Sequence, residues 1–181
     1  MLSEFQKRKL TALFHHHDVD KDGYLAKDDY EQFVKNFGEI QNHSPGSPEY
    51  ETFYTQTMAA WQHVQQVADK DKDNRVSLQE FLESYDVTLS DENIYNQLVI
   101  EYGKSLLALW DRDGDGRLSG EEYVTLFGCY GVGEETAGEA FRHLDRDGNG
   151  YLSLDELMKG AEEFYLSDDP DAPGNWMIGP C

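Results

Sequence analysis

Asp145-Arg146-Asp147-Gly148-Asn149-Gly150-Tyr151-Leu152-Ser153-Leu154-Asp155-Glu156 carries side-chain oxygens at positions 1, 3, 5 and 12 of a twelve-residue stretch. The pattern recurs as Asp18-Val19-Asp20-Lys21-Asp22-Gly23-Tyr24-Leu25-Ala26-Lys27-Asp28-Asp29. It recurs again as Asp69-Lys70-Asp71-Lys72-Asp73-Asn74-Arg75-Val76-Ser77-Leu78-Gln79-Glu80. A fourth copy is Asp111-Arg112-Asp113-Gly114-Asp115-Gly116-Arg117-Leu118-Ser119-Gly120-Glu121-Glu122. Position 6 is Gly23, Asn74, Gly116 or Gly150, and position 8 is Leu25, Val76, Leu118 or Leu152. Alternate carboxylates around one tight turn suit a hard divalent cation, which takes six to eight oxygens at roughly 2.3–2.6 Å.

The spacing follows from wrapping. Side chains at positions 1, 3 and 5 point inward, and position 7 supplies a backbone carbonyl. Position 12 closes the cage with a carboxylate, while position 6 turns sharply with positive φ. Glycine tolerates that backbone freely, and asparagine is a permitted exception. This is the calcium-binding loop of the EF-hand, present here as an internal repeat. The expected calcium ligands of the first loop are Asp18, Asp20, Asp22, the Tyr24 carbonyl and Asp29. Those of the second are Asp69, Asp71, Asp73, the Arg75 carbonyl and Glu80. The third uses Asp111, Asp113, Asp115, Arg117 and Glu122, and the fourth Asp145, Asp147, Asn149, Tyr151 and Glu156. A solitary acidic turn is usually a solvated surface feature; four copies with the apolar eighth position are not. Of 36 acids, 15 sit at ligand positions. Up to four calcium ions are expected, with magnesium most readily accepted at the first loop, where Asp29 is one methylene shorter than glutamate. Ala26 at position 9 also offers no oxygen, unlike Ser77, Ser119 and Ser153.

The rest of the composition agrees. The chain of 181 residues has 15 Lys+Arg against 36 Asp+Glu, a formal net charge of -21. Such a charge repels phosphate backbones and anionic membrane surfaces, so neither nucleic acid nor membrane is an expected partner. Aromatic residues make up 13%, which implies a packed core rather than an acidic tail. Cys129 and Cys181 are too few for a disulfide framework. There is no apolar run of signal-peptide or membrane-spanning length, and Leu2 replaces the glycine needed for myristoylation. The expectation is a cytoplasmic monomer. The sequon Asn42-His43-Ser44 reads as chance in that setting.

Apolar steps of three and four residues flank every loop, the mark of one buried face per helix. Phe5, Leu10, Leu13 and Phe14 precede the first loop; Tyr30, Phe33, Val34 and Phe37 follow it. Phe53, Tyr54, Met58, Trp61, Val64 and Val67 lead into the second, before Phe81 and Tyr85. Ile94, Leu98, Tyr102, Leu106, Leu107 and Trp110 lead into the third, before Tyr123, Leu126, Phe127 and Tyr130. Phe141 and Leu144 lead into the fourth, before Leu157, Ala161 and Phe164. Ser47-Pro48-Glu49 predicts a helix start with a cap, an N1 proline and an acid. The expected fold is all-α: four EF-hands in two pairs packed into one compact body, with short β contacts between paired loops. The expected divisions are an N-terminal pair at 1–88, a C-terminal pair at 89–165 and a tail at 166–181 that packs on the core.

Four hands, a long first spacing and an aromatic-rich chain ending in Pro173-Gly174-Asn175-Trp176-Met177-Ile178-Gly179-Pro180 resemble the sarcoplasmic calcium-binding protein family, including calexcitin and calerythrin. That resemblance implies a cytosolic calcium buffer or signal modulator. It departs from the family's habit of a degenerate loop, since all four loops keep their ligands. Two other readings stand beside it: a sensor exposing a hydrophobic surface to a protein target, and a luciferin- or ligand-binding EF-hand protein. Four methionines in all weigh against a Met-rich sensor groove. No nucleophile motif or phosphate loop points to an enzyme. His15-His16-His17 cannot converge on one ion, because helix neighbours diverge by about 100°; the expected role is imidazole at a helix C-terminus. Trp176, Met177 and Ile178 form an apolar cluster expected to plug the core.

Overall fold

The computed structural model describes residues 1–96, 100, 104, 107 and 110–179. Helix α1 spans Glu4–His17, opened by a Ser3–Gln6 capping box. The first loop leads through β1 (Tyr24–Leu25) into α2 (Lys27–Gln41), and Asn42 ends α2 in the left-handed conformation at φ 55. Helix α3 runs Pro48–Ala68 with Ser47 as its cap, as the breaker at 42–48 predicts. The second loop follows, then β2 (Val76–Ser77), α4 (Leu78–Ser90) and the single turn α5 (Glu92–Tyr95). In the second half, β3 (Arg117–Ser119), α6 (Gly120–Cys129), α7 (Glu134–Leu144), β4 (Tyr151–Ser153) and α8 (Leu154–Leu166) surround the third and fourth loops. A 3-10 turn, Pro173–Trp176, forms the tail. Leu98, Tyr102 and Leu106, expected on the helix entering the third loop, lie outside the described residues; Leu107 and Trp110 are buried.

The loops pair through their eighth residues. Strand β1 runs antiparallel to β2 with Leu25 opposite Val76, and β3 to β4 with Leu118 opposite Leu152. All four of these side chains are 2% exposed or less. The ladders therefore seat each acidic turn directly on the core, at roughly 1.5–3 kcal/mol per buried side chain.

The core crosses from one pair to the other. Phe33, Val34 and Phe53 share a cluster with Trp110, Tyr123, Phe127 and Leu144. Leu10, Phe14, Trp61 and Phe81 share another with Phe164. Phe37 stacks on Phe53 at 3.9 Å between centroids, and both meet Trp110 edge-on. Among the described residues no helix is long and apolar enough to cross a membrane.

The histidine run departs from its expected role. His15 faces solvent, but His16 lies 4.3 Å from the Tyr130 ring and 5.7 Å from Phe127. His17 stacks on Tyr30 and meets Tyr130 edge-on. Burial pushes His16 down to about 3, helped by neighbouring His17, and pushes His17 down to about 4. Both act as neutral aromatic wedges between the hand pairs; tertiary packing overrides the attraction of the helix dipole for a cation. In the calcium-free protein the unfolded chain then binds more protons than the folded one from about pH 6.5 down to those depressed values. Stability falls with acidification there by up to about 1.4 kcal/mol per pH unit for each histidine. Asp29, raised to about 6, opposes this below its own value, because the folded form then holds the extra proton. Urea unfolding at pH 7 and pH 5 is expected to show a smaller loss of stability for His16→Phe/His17→Phe than for the unmodified chain.

Candidate metal centre

Four clusters of carboxylates stand at the loop turns. Single oxygens of Asp18, Asp20 and Asp22 lie within 4.8 Å of one another, as do those of Asp69, Asp71 and Asp73. The same holds for Asp111, Asp113 and Glu122, and for Asp145, Asp147 and Glu156. Like charges at that spacing repel unless a cation sits among them. Hard anionic oxygens with backbone carbonyls nearby are the donor set of calcium and magnesium rather than of softer metals.

Backbone amides hold each carboxylate in place. The position-6 N–H donates to the position-1 carboxylate in every loop: Gly23 to Asp18 at 3.1 Å, Asn74 to Asp69 at 3.1 Å, Gly116 to Asp111 at 2.7 Å and Gly150 to Asp145 at 2.9 Å. The position-7 N–H donates to the position-5 oxygen, from Tyr24 to Asp22, Arg75 to Asp73, Arg117 to Asp115 and Tyr151 to Asn149, at 2.8–2.9 Å. Position 6 has positive φ throughout, including Asn74 at 68. Position 4 does as well: Lys21 and Lys72 at 62, Gly114 at 73 and Gly148 at 69. Gly114 and Gly148 are the sequence's hint of that second left-handed residue, which Lys21 and Lys72 conceal in the other two loops.

Position 12 closes each loop across its width. Glu80 accepts from the Lys70 N–H at 3.1 Å and from the Ser77 N–H and hydroxyl at 2.9 and 2.7 Å. Glu122 repeats this with Arg112 and Ser119, and Glu156 with Arg146 and Ser153. Ser77, Ser119 and Ser153 are thus N-caps of the exiting helices, locked in capping boxes with the closing glutamate. Burial pushes Glu80 and Glu156 upward, but these hydrogen bonds outweigh it and leave both below the usual carboxylate range.

The first loop differs. Asp29 is 2% exposed. It accepts from the Val19 N–H at 2.8 Å and the Ala26 N–H at 2.9 Å, and Ala26 has no hydroxyl to add. Burial prevails there and raises Asp29 to about 6.

Position 7 holds a further feature. The Arg75 guanidinium lies 4.0 Å from the centre of the Tyr24 ring, and Arg117 lies 4.1 Å from that of Tyr151. Each arginine also pairs with the position-5 carboxylate of its own loop, Asp73 at 3.2 Å and Asp115 at 2.8 Å. Each ladder therefore carries one cation–π clasp between its two loops. One Tyr and one Arg stand at this position in each pair of loops, a match visible in the sequence once the loops are compared in pairs.

The tail packs differently from its expectation. Trp176, Met177 and Ile178 are only half-buried, although they do touch the core clusters. The buried tail residues are Ala172, Gly174, Asn175 and Gly179. Asn175 Nδ2 donates to the Asp169 and Pro170 carbonyls at 2.9 and 3.0 Å. Lys9 on α1 is fully buried, and its Nζ donates to the carbonyls of Glu163 and Ser167 at 2.9 and 2.8 Å and to Asn175 Oδ1 at 3.3 Å. Polar anchors carry this tail, and an apolar reading of it overlooks them.

Comparison with known proteins agrees with the loop geometry. A model of the EF-hand domain pair matches residues 7–86, an EF-hand model matches 106–127 and an EF-hand domain model matches 136–165. Calerythrin of Saccharopolyspora erythraea is 23% identical over 168 residues, 92% of this chain and 95% of that protein. Sarcoplasmic calcium-binding proteins I, III and IV of Branchiostoma lanceolatum are 29% identical over 90 residues, about half of each chain (49% and 49%). The calcium-loaded apo coelenterazine-binding protein of Renilla muelleri superposes with a TM-score of 0.80 at 20% identity, covering 99% of this chain and 100% of its own. The chain belongs to the EF-hand superfamily, with calerythrin and the sarcoplasmic calcium-binding proteins among its relatives, and is a calcium-binding protein rather than an enzyme.

Proposed function

We propose that this chain is a cytosolic calcium buffer and signal modulator that acts as a monomer and fills all four loops. The ligands at each loop are the side chains at positions 1, 3, 5 and 12 with the position-7 carbonyl. Residues 1–88 and 89–165 are the two hand pairs, and 166–181 is a tail that restrains them. The observation that carries the buffer reading is the aromatic core shared between the pairs, with the tail pinned over it by Lys9. A core of stacked rings resists the helix opening that sensor EF-hands need. The test is hydrophobic-dye binding with and without calcium. The intact chain should bind little dye in either state, while deletion of residues 174–181 should lower stability and create calcium-dependent dye binding. Strong calcium-dependent dye binding by the intact chain would favour a sensor instead. An absorbing ligand that copurifies with the protein from its source would favour the carrier reading.

The first loop is proposed as the least calcium-selective. Asp29 reaches less far than glutamate, and a cage closed by one oxygen suits six-coordinate magnesium. Its raised pKa adds a proton to displace, so calcium affinity at this loop should fall as pH drops through about 6. Asp29→Glu should raise calcium over magnesium preference there, by competition calorimetry. Unchanged or lower calcium affinity at that loop would refute the argument from reach.

A further inference from the structure

The tail touches both helices of the fourth hand. On α8, Gly174 lies so close that a side chain there would collide with the Gly160 carbonyl and with Glu163 Cβ at 2.6 Å. The Met177 sulfur sits beside Gly160, where an added Cβ would meet it at 3.2 Å. On α7, the Trp176 indole stacks on His143 with 4.1 Å between centroids and 8° between planes. This footprint spans two helices joined by the fourth loop. It fits one angle between them and is lost at others.

One carboxylate joins the footprint to the loop. Glu163 Oε2 accepts the Gly174 N–H at 2.9 Å and pairs with the Arg146 guanidinium at 2.6 Å. Arg146 is the second residue of the fourth loop, and its own N–H donates to Glu156 Oε1 at 2.9 Å. A continuous line of charge-assisted bonds therefore runs from the loop's closing carboxylate through Arg146 and Glu163 to the tail. None of the other three loops has its position-2 side chain tied to the tail among the hydrogen bonds and ion pairs of the described residues.

From this we infer that the tail is an intramolecular effector of the fourth loop: docked, it holds α7 and α8 at the calcium-competent angle, and Arg146 and Glu163 transmit the coupling. They are positioning residues that touch no ion. The inference rests on the reading that the fourth loop binds calcium. Linkage makes the effect reciprocal, so calcium at this loop tightens tail docking as much as docking tightens calcium.

The position-6 amides give each loop its own reporter, because Gly150 and Asn74 donate to the first carboxylates of the fourth and second loops. Calcium titrations followed by amide NMR of the full chain, Arg146→Ala, Glu163→Gln and a chain lacking residues 174–181 test the inference. The Gly150 midpoint should move to about five-fold or more higher calcium in each variant. The Asn74 midpoint should move less than about two-fold, and Glu163→Gln should add little on top of the truncation. Arg146 is exposed and Glu163→Gln keeps the size of the side chain, so the two point variants report even where the truncated chain folds poorly. An unmoved Gly150 midpoint, or equal shifts at Gly150 and Asn74, overturns the inference. A Gly150 amide that ignores calcium in the unmodified chain overturns the four-loop reading, and the inference with it.

Discussion

Chelating calcium lowers the melting temperature of this protein by roughly 15–30 °C, measured by calorimetry in millimolar calcium and then in excess chelator. The expectation follows from ligand linkage: a site held at 1,000 times its dissociation constant stabilises the fold by about 4 kcal/mol. A chain of this size gains about 2–4 °C per kcal/mol. Two tightly held ions suffice for the stated shift. Electrostatics adds to it, since four ions carry +8 and bring the formal charge from -21 to -13. The acids crowd within 4.8 Å in each cluster, and that repulsion is what the cation relieves. The chelated form should be expanded, with weakened near-ultraviolet dichroism. An identical melting temperature in calcium and chelator would mean that the loops do not bind the ion as their geometry implies.

Lys9→Met costs about 2–4 kcal/mol, because buried neutral oxygens lose a charged donor at about 1–3 kcal/mol for each group left short of one. The fully buried ammonium donates to two carbonyls and the Asn175 amide oxygen, and it lies 4.8 Å and 5.6 Å from the centres of the Phe5 and Phe164 rings. Methionine fills the space of the stem but leaves those oxygens without this donor. Lys7→Met is the internal control. Lys7 is half-exposed and pairs with Glu4 at 2.6 Å one helical turn away, so its loss should cost no more than about 1 kcal/mol. Urea unfolding of both variants in saturating calcium separates the two. Equal, small effects would show that the tail is not held through Lys9.

The loops were legible because ion chemistry dictates their residues one by one. Only oxygen-bearing side chains serve at positions 1, 3, 5 and 12, only a residue tolerant of positive φ at position 6, and an apolar residue at position 8 meets its partner across the ladder. Helix periodicity was legible for the same kind of reason: α2 and α3 each bury one face, at Phe33 and Val34 and at Phe53, Met58 and Trp61. The polar anchors of the tail were not. Lys9 reaches the Ser167 carbonyl 158 residues away and the Asn175 side chain 166 residues away, and no local spacing encodes bonds of that length. Among neighbours in sequence, Lys9 and Lys7 look alike; burial alone distinguishes them. His16 and His17 fall in the same class. Their position at a helix end suggests a charged role, but the rings of Tyr130, from the third hand, and of Tyr30, from the far side of the first loop, decide in favour of the neutral form. The serines at position 9 show a third kind of gap. Their oxygens look like calcium ligands or water anchors in the sequence, whereas in the fold they cap helices and orient the closing glutamates.

The account stands most directly on how many ions the chain holds. Native mass spectrometry of the folded protein at saturating calcium should show a dominant species with four calcium ions. A count that stops at two or fewer would contradict it.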